Sequence, residues 1–290
     1  MSETPMDPKY TDPDQASKIY FLPNSMTAFN LFCGFLAVIR CIQARFTAEE
    51  LGRSSEELYA QAVWLILAAV VFDMLDGRLA RLGGRESLFG KEFDSIADVV
   101  SFGMAPALMV FFQILAPEHE AYFRKIGWLI GFIYLLCVSV RLSRFNVVTH
   151  PLMEESEFTS SKDFIGLPCP AAAGMISSLV LLMNRFEFNN LAIFMPALMI
   201  LIAVLMVSSI RYPSFKHIDW TTRLKFRSFI LIIVVLSVVV MVREIGVALI
   251  FLAYIFYGLG LDLKRRFFKN PEGELDNSVN NSETDPNKSE

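Results

Sequence analysis

Histidine is nearly missing from this 290-residue chain: the three copies, His119, His150 and His217, all lie in polar connections and none has the spacing of a metal site. We assign them no chemistry. Cysteine is almost as sparse. Cys33, Cys41, Cys137 and Cys169 fall in or beside apolar runs without paired spacing, which excludes a disulfide framework or a thiolate zinc centre and leaves them as small hydrophobes. Charged residues make up only 19% of the chain, and acids crowd into its two ends, so the formal charge of −4 hides a mildly basic body. No nucleic-acid partner is expected. The opening MSETPMDPKYTDPDQASK lacks the charged-then-apolar pattern of a signal peptide, so insertion through the chain's own first helix is expected. No repeat of fixed period and no soluble stretch large enough to stand alone is visible.

Apolar sequence fills the space these absences leave. Hydrophobic residues are 54% of the chain, 26 of them phenylalanine, and the mean hydropathy is +0.45. That is more than a soluble core of this size needs. Runs long enough to cross a bilayer, about 20 residues each, occur near 23–43, 58–80, 93–115, 127–146, 168–184, 190–210, 228–242 and 244–262. The last two are divided only by Arg243-Glu244 and could form one kinked helix. With eight spans, one side of the membrane holds only Arg40, Arg45, Arg53, Arg124, Lys125, Arg185 and Arg243 of the 26 Lys and Arg residues. The positive-inside rule then makes the other side cytoplasmic, with both termini and the connection after Asp76. The expected fold is therefore an all-α polytopic membrane protein of about eight helices: a polar segment 1–22, a membrane domain 23–263, and a basic then acidic tail 264–290, expected to be disordered.

Acids interrupt this pattern at one place. The stretch DMLDGRLARLGGRESLFGKEFDSIAD carries Asp73 and Asp76 at i, i+3 and Asp94 and Asp98 at i, i+4, so each pair shares a helix face on either side of the turn-forming Gly83-Gly84. Four carboxylates at a membrane boundary repel one another and resist desolvation. Divalent cations remove the conflict, and carboxylate-only ligands favour a hard ion, Mg²⁺ or Mn²⁺, completed by phosphate oxygens. A phosphate-containing substrate and a two-metal site follow as expectations. Gly77, Ala80 and Gly90 leave room beside the acids, and Arg81 stands where it could fork onto a phosphate. Arg78, Arg85 and Lys91 read as solvated interfacial charges.

The same residues match the signature D-x2-D-G-x2-A-R-x8-G-x3-D-x3-D at Asp73, Asp76, Gly77, Ala80, Arg81, Gly90, Asp94 and Asp98. In this the chain resembles the CDP-alcohol phosphotransferase family. The resemblance implies that the first three aspartates bind metal and the nucleotide's diphosphate, that Asp98 contacts a second metal and serves as general base, and that the small residues make room for a cytidine nucleotide. It also implies a homodimer, and suggests that Asn24 and Thr27 on the first helix face the nucleotide. The plainer reading of Pro23-Asn24-Ser25 is a helix start and cap.

The acceptor is read from softer segments. LPNSMTAFNLFCGFLAV, DSIADVVSFGMAPA, VRLSRFNV, FIGLPCPAAAG and SSIRYPSFK look like the phosphatidylserine synthase branch of the family. This implies transfer of a phosphatidyl group from CDP-diacylglycerol to L-serine, at the cytoplasmic face of the inner membrane. Serine's carboxylate needs a cation, which Arg141 and Arg144 at i, i+3 could supply, with Asn146 as a polar contact; the two arginines equally fit ordinary membrane anchors. Ser101, Phe102 and Gly103 could shape the acceptor pocket, and Pro168 and Pro170 set the start of the fifth helix. Other acceptors such as glycerol phosphate or inositol phosphate, an intramembrane prenyltransferase, and a transporter remain as alternatives.

Overall fold

The computed structural model describes residues 20–82, 87–116, 125–149, 164–186, 193–213 and 243–267. The chain is mostly helical, in the order α1 (Phe21–Phe46), α2 (Ser55–Leu82), α3 (Leu88–Leu115), α4 (Gly127–Val148), strand β1 (Phe164–Ile165), α5 (Cys169–Phe186), α6 (Met195–Val207), strand β2 (Arg211–Tyr212) and α7 (Arg243–Phe267). Among the described residues, six helices are long and apolar enough to cross a membrane: α1 to α5 and α7. Among the described residues of the run read over 190–210, the helix is Met195–Val207, 13 residues, about 20 Å against a hydrocarbon core of about 30 Å. The run at 228–242, the Gly83-Gly84 turn, the three histidines and both chain ends lie outside the described residues.

Pairing of α1 with α2 follows from small side chains. Small or buried side chains recur at three- and four-residue intervals on both helices, Ala37, Cys41 and Ala44 on α1 and Leu58, Ala62, Ile66 and Ala69 on α2, and the two helices pack along their length. Small residues let helix backbones approach where lipid supplies no hydrophobic drive between helices. The expected cap at Pro23-Asn24-Ser25 is not present. The helix begins at Phe21, Tyr20 makes no side-chain cap, and the Ser25 hydroxyl donates to the Phe21 carbonyl at 2.6 Å. Pro23 is tolerated there because first-turn N–H groups have no helical partner.

Gly34 lies against α3. A Cβ there would stand 2.6 Å from the Cα of Ser101 in α3. Gly34→Ala gains roughly 1 kcal/mol of helix propensity, while overpacking a tight contact costs roughly 1–3 kcal/mol. The clash is with backbone, so it wins: we expect a lower thermal unfolding midpoint in detergent, and a midpoint at or above wild type would refute the close approach.

Helix α3 is not regular. Ser87 caps it by accepting from the Gly90 N–H at 3.1 Å, and after Asp98 the helix widens to π geometry over Val99–Met104. Two turns on, Pro106 has no N–H for the Phe102 carbonyl four residues back. The buried Tyr134 of α4 takes that acceptor, donating its hydroxyl to Phe102 O at 2.9 Å. A proline that would break a helix thus becomes a fixed contact between α3 and α4.

The remaining elements close around α5, whose buried Ala171, Ala172, Ala173, Ser177 and Ser178 sit among the other helices. Pro168 and Pro170 flank its first residue. The two short strands pair antiparallel, Phe164 opposite Tyr212 and Ile165 opposite Arg211, joining the chain ahead of α5 to the chain after α6. Gly166 makes the turn with a φ of +78°, donating to Ile210 O at 2.8 Å, in a place where any side chain would meet the Met206 carbonyl. The Arg211 N–H donates to the buried Asp262 of α7 at 3.2 Å, fastening the strand pair to that helix.

Candidate active site

The acidic site forms where the end of α2 meets the start of α3. Helical spacing puts Asp73 and Asp76 one turn apart, and α3 brings in Asp94; one carboxylate oxygen from each lies within 4.8 Å of the other two. Asp76 is buried, and one of its oxygens accepts from the Thr27 hydroxyl of α1 at 3.0 Å. This bond, between the start of α1 and the end of α2, shows the two helices to be antiparallel. Asp94 Oδ1 is buried with no hydrogen-bond partner.

Asp98, a turn further along α3, stands outside that three-carboxylate group but near enough for the charges of Asp73 and Asp94 to act on it. It is only 6% exposed, and Asn30 Nδ2 of α1 donates to its Oδ1 at 3.0 Å. An all-carboxylate set with an orphaned buried oxygen is what a hard divalent cation would complete. The residues present therefore fit a metal centre.

Small residues border the acids unequally. A Cβ at Gly77 would meet nothing within 4 Å, so α2 has open space beside Asp76. At Gly90 a Cβ would stand 3.3 Å from Asn24 Oδ1 and from Ser87 Oγ, so this glycine lets the start of α1 reach the start of α3. Asn24 Nδ2 is left buried without a partner there. Ala80 is half-buried, and the Arg81 side chain lies outside the described residues.

The two arginines of α4 diverge. Arg141 is buried at 8% exposure, donates from Nη1 to Cys169 Sγ at 3.6 Å, and is close enough for its charge to act on Asp73; its Nε has no hydrogen-bond partner. Arg144 instead donates to Val207 O at the end of α6, at 3.0 Å, and lines an apolar groove of about 460 Å³ with Ser139, Val140, Ser143, Val147 and Val148. Asn146 donates to Ser95 Oγ at 2.9 Å and toward Glu92, while Lys91 Nζ donates to the Asn146 and Thr149 carbonyls at 3.4 and 3.1 Å. The structure thus brings Thr27, Asp73, Asp76, Asp94, Asp98 and Arg141 together. Arg144 and Asn146 serve contacts between helices. Lys91, read from sequence as a solvated charge, holds the last carbonyls of α4.

Asn30 and Cys169 were not among the residues expected at the site. Asn30 carried a usable signal, an amide in the apolar run AFNLFCGF three residues after Thr27, since a polar group inside a span must find a partner. Cys169 carried none.

Comparison with known proteins agrees with this geometry. The chain is 35% identical over 245 residues, 83% of its length, to a protein of Helicobacter pylori named CDP-diacylglycerol–serine O-phosphatidyltransferase, 90% of which is covered. It is 38% identical over 194 residues to an archaetidylserine synthase of Methanothermobacter thermautotrophicus, covering 66% of this chain and 69% of that one. A third relative, a CDP-diacylglycerol–serine O-phosphatidyltransferase of Saccharomyces cerevisiae, is 37% identical over 168 residues, covering 57% of this chain and 56% of that one. The CDP-alcohol phosphatidyltransferase family profile matches residues 20–210, from the start of α1 through the acidic site to the approach to β2, and the chain belongs to that family.

Proposed function

We propose that this enzyme transfers the phosphatidyl group of CDP-diacylglycerol to the hydroxyl of L-serine, giving phosphatidylserine and CMP. The observation that carries the proposal is the carboxylate cluster of α2 and α3 at the family's signature spacing. The choice of serine is supported by the relatives: those named above differ in lipid, and their names agree on serine.

Asp73, Asp76, Asp94 and Asp98 would hold divalent cations, Mg²⁺ or Mn²⁺ and two per site, which neutralise a diphosphate and make CMP a better leaving group. The open flank at Gly77, with Ala80, Gly90 and Asn24 nearby, is the room left for the nucleotide. Arg81 is read as a phosphate contact. Arg141 supplies the cation for the serine carboxylate, its fork already steadied by Cys169. Asp98 removes the proton from the serine hydroxyl as the oxygen bonds to the β-phosphorus and the bond to CMP breaks. A carboxylate is a weak base for an alcohol, so its placement has to supply much of the effect.

The same reading sets the membrane domain at 23–263 with eight spans. It places both termini and the α2–α3 turn on the cytoplasmic side of the inner membrane, supported by the uneven spread of Lys and Arg, and it makes the protein a homodimer. A CMP-release assay on purified protein with CDP-diacylglycerol tests the chemistry. Turnover is expected with L-serine and not with glycerol phosphate or inositol phosphate. Serine-independent turnover with another alcohol would overturn the acceptor, and release of pyrophosphate would indicate prenyl transfer.

A further inference from the structure

We propose that Asn30 is a positioning residue: its amide holds one oxygen of Asp98 so that the other is presented to the acceptor hydroxyl. The inference rests on the reading of Asp98 as the base. An ionised carboxylate only accepts, so the NH₂ of Asn30 is what faces Asp98 Oδ1, at 3.0 Å with both residues buried. The backbone that carries Asn30 is fixed. Its main-chain carbonyl accepts from the Ser101 hydroxyl at 2.9 Å, and Gly34, one turn on, brings α1 against the Ser101 backbone; the side-chain Oδ1 is buried without a partner, so the bond to Asp98 is the one that orients the amide. Ser101 lies three residues after Asp98, in the widened turn of α3, so the base and the group that anchors the Asn30 main chain are parts of one element.

Thr27 and Asn30, spaced i, i+3, divide the work of α1. Thr27 donates to Asp76, inside the three-carboxylate group, and Asn30 donates to Asp98, outside it. Donors behind a ligand or base set its orientation, and losing one typically costs about 10–100-fold in affinity or rate. The two therefore predict different losses. Thr27→Val is expected to raise the Mn²⁺ concentration giving half-maximal binding, read by the electron paramagnetic resonance signal of free Mn²⁺. Asn30→Leu, similar in volume and without a donor, is expected to lower kcat about 10–100-fold at saturating Mn²⁺, with KM for serine and for CDP-diacylglycerol within about twofold of wild type.

Asn30→Asp separates positioning from packing. It keeps the shape of the side chain but sets a second acceptor against Asp98, so a packing role predicts that it outperforms Asn30→Ala, whereas positioning predicts that it does no better. Wild-type kcat in folded Asn30→Leu, an Asn30→Asp variant clearly more active than Asn30→Ala, or loss of folded protein in both Asn30→Leu and Asn30→Ala would each overturn the proposal. If wild type itself makes no phosphatidylserine, the functional reading has failed; if wild type turns over, Asp98→Asn does not, and Asn30→Leu matches wild type, only the role of Asn30 has failed.

Discussion

Asp98→Asn is expected to lower kcat by about 10²–10⁴-fold, the range a positioned general base contributes, while leaving the protein folded. The substitution is nearly isosteric and removes a charge from a site only 6% exposed, so folding has little to lose. At saturating Mg²⁺ or Mn²⁺, which makes up for any loss of metal affinity from the carboxylate set that Asp98 shares, the cost falls on the chemical step, because an amide cannot take the proton of the serine hydroxyl. Serine-dependent CMP release in detergent, paired with a thermal melt, measures both. Retention of more than about a tenth of wild-type kcat would remove Asp98 from the role of base.

Removing divalent metal is expected to abolish turnover and to lower the unfolding midpoint, both restored by Mg²⁺ or Mn²⁺. Oxygens of Asp73, Asp76 and Asp94 lie within 4.8 Å of one another. At an effective dielectric of about 20, each ionised pair at that separation costs roughly 3–4 kcal/mol. A bound cation reverses the sign of this interaction, and metal at one hundred times its dissociation constant adds about 2.7 kcal/mol to stability. Melts of chelator-treated protein across a metal titration give the test. The rise should be lost in Asp73→Asn and Asp94→Asn, where the repulsion and the ligand disappear together. A wild-type midpoint indifferent to metal would count against a metal centre here.

What could be read from sequence followed from local geometry. The spacings of Asp73 to Asp76 and Asp94 to Asp98 fix helix faces whatever the rest of the chain does, and apolar run length located six helices of membrane-crossing length within about five residues, but overestimated the helix at 190–210. Partners across helices were less accessible. Arg141 and Arg144 share a helical stripe by the i, i+3 rule, yet three residues still turn about 60° away from one another. That is enough to send one toward Asp73 and Cys169 and the other to a carbonyl of α6. Asn30 and Asp98 are 68 residues apart, and nothing local announces their bond. The Tyr134 contact that accommodates Pro106 depends on α4 being in place, which α3 alone does not encode.

The antiparallel seam between α1 and α2 bears on how the protein is made. Synthesis runs from the N-terminus, and earlier segments organise first, so Thr27 and Asn30 leave the ribosome before any of the aspartates they serve. When α2 follows, Asp76 arrives beside a hydroxyl already waiting for it; when α3 follows, Asp98 arrives beside an amide. The order of residues along this chain thus sets the neutral partners of Asp76 and Asp98 ahead of the two acids they meet.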